Sequence, residues 1–168
     1  MIIVNKTDHR FDRKRFEAFC SLNHFEFPKA FVEYLEEHND AELENNILDI
    51  GDNECCVRFF YGTSFEAYSD ISMIYEAYQG RMPNGIIPIA DPDCGNQICM
   101  SLEKETYGKI YFWDHEMMDA DDDGACTTGI ADLKEISTSF DDLLDRIKTS
   151  PYAVEIKKKT GFWSRLFR

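Results

Sequence analysis

The stretch from Ile86 to Glu116, IIPIADPDCGNQICMSLEKETYGKIYFWDHE, constrains the fold of this chain more than any other. Three short apolar runs, Ile86–Ala90, Gln97–Ser101 and Lys109–Trp113, alternate with connectors rich in Asp, Gly and Asn. The connectors, residues 91–96 and 102–108, are too short for a parallel crossover, which takes about a dozen residues or more. The runs therefore predict neighbouring antiparallel strands. With helices before and after them, the expected class is α+β rather than a doubly wound sheet.

The flanking segments supply those helices. Residues 12–21 place Phe16, Phe19 and Cys20 at helical spacing behind Asp12, a suitable N-cap. Phe27-Pro28 opens a second helix with proline at its first position. Phe31, Val32, Leu35 and His38 share one face of it, Glu33, Glu36 and Glu37 point to water, and Asn39-Asp40 ends it. Ile47–Ile50 and Cys55–Tyr61 read as strands, the second closed by Gly62. Thr63 or Ser64 then caps a helix that carries Phe65, Tyr68, Ile71, Ile74, Tyr75 and Tyr78 toward the core and stops at Gly80. A strand near Leu133–Ile136 and a helix at about 140–149 close the domain. That helix begins at a capping-box-like Ser139 and Asp142 and carries Phe140, Leu143, Leu144 and Ile147 on one face.

Size and composition set the outer bounds. A chain of 168 residues, 43% apolar and 14% aromatic, buries a core of its own and fits one globular domain. No apolar run approaches the roughly 20 residues of a membrane helix. The N-terminus lacks a charged region followed by an apolar one, so the expected location is cytoplasmic. Six cysteines without C-x-x-C spacing then read as reduced core thiols. The expected organisation is one domain over 1–154, a mostly antiparallel central sheet of short strands flanked by helices, followed by a tail over 155–168.

Charge is uneven along the chain. Residues 1–15 hold 5 basic and 2 acidic side chains, residues 16–154 hold 8 and 29, and residues 155–168 hold 5 and 1, for a net charge of −14. An acidic body opposes nucleic acid and attracts a basic partner, while acidity for solubility alone is the plainer reading.

Chemistry-bearing motifs are few. Trp113-Asp114-His115-Glu116 sets a large ring beside three polar groups, but three adjacent residues cannot converge on one ion without a tight loop. The trio therefore reads as a strand end, with neither a catalytic nor a metal role. Asp119-x-Asp121-x-Asp123-Gly124 matches the first half of an EF-hand loop, yet Ile130 stands where the bidentate Glu belongs. This segment reads as a solvated acidic loop or a contact loop for a basic partner, and no cofactor is expected. In the tail, Lys157–Lys159 precede Phe162, Trp163, Leu166 and Phe167. Such a basic amphipathic turn can touch an anionic membrane, fold back on the acidic body or dock on a partner. At about two turns it binds weakly by itself.

Four blocks together resemble the SUKH superfamily, the Smi/Knr-type domains found mostly as bacterial immunity proteins. They are Phe27-Pro28-Lys29-Ala30-Phe31-Val32-Glu33-Tyr34-Leu35, Ile87–Asp91 with Gly95-Asn96-Gln97-Ile98-Cys99, Gly108–Glu116, and the closing Ser139-Phe140 helix. Asn39-Asp40 stands where that family often has Asn-Gly, and Asp91-Pro92-Asp93-Cys94 lengthens one loop. The resemblance implies a non-enzymatic protein that binds and neutralises a toxin domain, often a nuclease, or else an intracellular scaffold. The expected partner is a basic toxin domain. Its expected contacts are Asp114, Glu116, Asp119, Asp121, Asp122 and Asp123, with Tyr61 or Trp113 as aromatic anchors.

Overall fold

The first helix, α1 (Arg13–Asn23), begins where Asp12 accepts the Arg15 N–H at 3.1 Å, as its spacing predicts. The computed structural model describes residues 9–51, 53–92, 95–114 and 133–149. Cys94, His115, Glu116, the 119–124 segment, Cys126 and the 155–168 tail lie outside the described residues. Helix α2 (Lys29–His38) follows, with Pro28 as its N-cap rather than its first helical residue. It stops at Asn39, whose φ of +37° breaks the helical path.

Seven strands form one antiparallel sheet. In chain order they are β1 (Asn45–Asp49), β2 (Glu54–Phe60), β3 (Ile86–Pro92), β4 (Gln97–Ser101), β5 (Ile110–Trp113), β6 (Lys134–Ser137) and the two-residue β7 (Lys148–Thr149). Their order across the sheet is β6-β5-β4-β3-β2-β1-β7. The three apolar runs are β3, β4 and β5, paired as neighbours, with Ile87 opposite Met100 and Ile98 opposite Phe112. The α+β class and the antiparallel sheet are thus as expected. Pro88 lies in the most central strand although it has no N–H to donate. The sheet accommodates it through a register shift between Pro88 and Ala90.

Both faces of β3–β5 are covered, so every residue of these strands is buried. One face (Ile87, Ile89, Ile98, Met100, Ile110, Phe112) packs into the main core with α1, α2 and helix α4 (Phe140–Arg146). Phe31, Tyr34, Phe60 and Phe140 meet there edge to face, with ring centroids 5.0 to 5.4 Å apart. The opposite face holds a smaller cluster of Ile86, Cys99, Tyr111 and Trp113, packed with Met82 and Leu133.

Two helices differ from their expected extents. Helix α3 spans only Ile71–Tyr78, with Asp70 as N-cap, and residues 63–70 are not helical. Helix α4 opens as predicted, Ser139 accepting the Asp142 N–H at 3.1 Å, but ends at Arg146 instead of near 149. Ile147 is extended and buried, and the next two residues pair with β1. α4 therefore carries the chain from one edge of the sheet to the other. The edges are drawn together so far that a Cβ on Gly51, in the β1–β2 turn, would lie 2.7 Å from Lys134 Nζ in β6. Among the described residues no helix is long and apolar enough to cross a membrane.

Candidate partner-binding surface

Between β2 and α3 the chain makes a loop whose stem is buried and polar and whose tip is exposed and aromatic. Gly62 begins it, donating its N–H to the Ser69 carbonyl at 3.1 Å and accepting from Ile71 N at 2.8 Å. A Cβ at Gly62 would meet Asn39 Oδ1 at 2.3 Å, so only glycine fits against that side chain. Asn39, 2% exposed, treats the loop as a strand would. Its Oδ1 accepts the Thr63 N–H at 3.0 Å and its Nδ2 donates to the Thr63 carbonyl at 2.9 Å. Thr63 Oγ1 in turn accepts the Asp12 N–H at 2.7 Å, joining the stem to the start of α1.

Asp70 fixes the other side of the stem. It is 1% exposed, and its carboxylate accepts the Ser64 N–H at 3.0 Å, the Met73 N–H at 3.2 Å and the Ser72 hydroxyl. Arg15 closes the arrangement with Nη2 at 3.1 Å from the Asp70 carboxylate and Nη1 donating to the Ser64 carbonyl at 2.6 Å. Ser64 Oγ accepts the Glu66 N–H at 3.1 Å, and Ser69 Oγ reaches Asp40, which also pairs with His9 at 3.0 Å. A buried carboxylate needs this degree of satisfaction, because leaving it unpaired costs several kcal/mol, on the order of 3–5.

The tip that this frame presents carries two exposed aromatic rings, with Glu66 and Ala67, also exposed, between them. Phe65 is 97% exposed and Tyr68 61% exposed. The Arg15 guanidinium stands 5.9 Å from the Phe65 centroid, and Tyr68 leans on the buried Phe59 with centroids 6.1 Å apart. Beside the stem lies a cleft of about 440 Å³ between His9, Phe11, Arg13, Glu36 and Asn39. Rigid aromatic side chains in solvent are what protein interfaces use as anchors, and large exposed apolar groups otherwise favour association. The arrangement suits binding.

Residues 12–146 match the family model described as SMI1 / KNR4 family (SUKH-1), a span from the N-cap of α1 to the last residue of α4. The chain belongs to that family. Over 73 residues this SUKH-1 chain is 38% identical to the SPbeta prophage-derived uncharacterized protein YokK of Bacillus subtilis (strain 168). The match covers 44% of this chain and 36% of that protein, so it spans little more than a third of the relative's length. No solved structure matches the chain.

The two aromatic anchors expected from the sequence are inside the SUKH-1 core. Tyr61 is 2% exposed and donates its O–H to Gln97 Oε1 at 2.8 Å, while Gln97 donates to Tyr78 Oη at 3.1 Å. Burial, reinforced by the Asp91 carboxylate, pushes the Tyr61 phenol above its ordinary range. Trp113 is 1% exposed, lies edge-on to Tyr78 at 5.3 Å and sits beneath the Arg81 guanidinium at 5.8 Å. Strand residues on a sheet covered on both faces have no route to solvent, so neither ring presents itself to a partner as the structure stands. Asp114 follows β5 and is half-buried. Glu116, Asp119, Asp121, Asp122 and Asp123 fall outside the described residues, and none is placed relative to the aromatic loop.

Phe65 and Tyr68 were misplaced by periodicity. Their spacing continues that of Ile71, Ile74, Tyr75 and Tyr78, so one long amphipathic helix accounted for all six. The signal against it is Asp70, an N-cap type as good as Ser64 and better than Thr63, placed directly before the true helix. Among the thiols, Cys55 and Cys99 are buried and Cys20 and Cys56 half-buried, none in a disulfide. Burial pushes Cys20 up to about 11, with Glu17 adding to it, and pushes Cys99 up as well, so both are poor nucleophiles at neutral pH.

Proposed function

We propose that this SUKH-1 domain is a bacterial immunity protein that binds a cognate toxin domain stoichiometrically and occludes its active site, by binding and not by catalysis. The observation that carries the reading is the pair of exposed rings, Phe65 and Tyr68, on a loop whose stem is already ordered. A preorganised aromatic tip loses little entropy when it enters a pocket on a partner. The acidic side chains supply the second component. Asp114, Glu116, Asp119, Asp121, Asp122 and Asp123 add to the negative field of a chain of net charge −14, which speeds encounter with a basic domain. For a nuclease partner, such a field occupies the place of substrate phosphates.

The test is co-expression with any toxin domain found encoded beside the chain's own gene, followed by measurement of the purified pair. A one-to-one complex and rescue of growth are expected. The double variant Phe65→Ala/Tyr68→Ala should weaken the complex by at least about 30-fold with its fold intact. Charge reversal at Asp121, Asp122 and Asp123 should slow association and flatten its salt dependence. Full affinity in the double variant overturns the docking surface. Absence of any complex overturns the immunity reading in favour of an intracellular scaffold.

A further inference from the structure

We propose that the groove where the two edges of the sheet approach each other binds a small phosphate ester. The groove has a volume of about 460 Å³ and lies between the β1–β2 turn, β6, the end of α4 and β7. Lys134, Arg146 and Lys148 converge on it, three cations from a chain with only 18 basic residues against 32 acidic ones. Of its two acidic lining residues one is paired outside the groove and the other bonds within its rim, so the three cations leave the lining net positive. Asp49 Oδ1 accepts the Gly51 N–H at 2.8 Å, and Glu135 is held by Lys109 at 2.8 Å.

The cations are less engaged. Lys134 and Lys148 make no ion pair among the described residues. Arg146 meets Asp142 through Nε at 3.0 Å, which leaves its two terminal nitrogens available as donors. Gly51 makes the space for the Lys134 ammonium: its φ is +101°, and a Cβ there would lie 2.7 Å from Nζ. Ile50 and Ile136, both nearly buried, give the groove an apolar part. Two point charges and one guanidinium fork around an open space suit an anion with several oxygens facing different ways, which a phosphate offers and a planar carboxylate does not. The volume suits a small organic ligand carrying that group. The groove shares no residue with the aromatic loop, so this site stands or falls independently of the toxin reading.

Amide NMR titration of the full chain tests it, with pyrophosphate, adenosine 5′-diphosphate and adenosine as separate probes. Saturable shifts at Gly51, Lys134, Arg146 and Lys148 are expected with the first two and none with adenosine. Tighter binding of the nucleotide than of pyrophosphate would assign the apolar part to the organic moiety; equal binding would assign the site to the phosphate alone. Lys134→Gln/Lys148→Gln should weaken binding by at least about tenfold. Lys29→Gln/Lys104→Gln, which removes the same charge from exposed positions elsewhere, should leave it unchanged. Absence of a saturable shift up to about 1 mM, or equal weakening by both double variants, overturns the proposal.

Discussion

Tyr61 and Phe65 are four residues apart, and one is sealed in the core while the other stands almost wholly in solvent. Trp113 and Tyr68 repeat the contrast. The side chains are of one chemical kind, so their hydrophobicity does not decide the outcome. Backbone partners do. Tyr61 donates its N–H to the Ile89 carbonyl at 2.8 Å and continues the line of β2, so its ring must lie on one covered face of the sheet. Beyond Gly62 the backbone is bonded to Asn39, Asp70 and Arg15, polar groups that hold the stem down and turn the tip outward. Sheet pairing carries the strand rings into the core, whereas side-chain bonds to the backbone hold the loop out of it.

The comparison can be broken from either side, and the largest effect belongs to the core. Trp113→Ala should cost about 3–5 kcal/mol in chemical denaturation, the range for deleting a large buried aromatic. A loss under about 1 kcal/mol would mean the ring is not packed as described. Asp70→Ala comes next, at about 2–3 kcal/mol, because it removes the α3 cap and strands the Ser64 N–H. Hydrogen exchange should also rise at Ser64 and Met73 while β3–β5 stay protected; unchanged exchange there would disprove the stem's dependence on Asp70. Tyr61→Phe should cost about 1–2 kcal/mol, since Gln97 Oε1 loses its donor without a cavity forming. Phe65→Ala should be smallest, within about 0.5 kcal/mol of the parent by the same denaturation. A cost as large as that of Tyr61→Phe would place Phe65 in the core and remove the contrast.

The sheet was legible in the sequence because short connectors and strand-like runs leave few ways to pair, and β3, β4 and β5 lie where those runs lie. Helix starts at Asp12 and Ser139 were legible because a cap is a local event between a side chain and an N–H two or three residues on. The aromatic loop was not. Periodicity reports which face a residue would take if the helix existed, and it carries no word on whether the stem residues have better partners elsewhere. Asn39 supplies those partners from 24 residues away, a contact that no local pattern announces. The end of α4 was missed for the same reason: Lys148 pairs with Ile47, a strand far earlier in the chain.

Asn39 and Asp70 grip the backbone of Thr63 and Ser64, and neither bonds to the side chain of any residue from 65 to 68. The side chains of the four tip positions therefore take no part in the hydrogen bonds of the clasp. Substitutions at these positions leave the clasp's hydrogen bonds in place, so what the loop displays and how it is held can be changed separately.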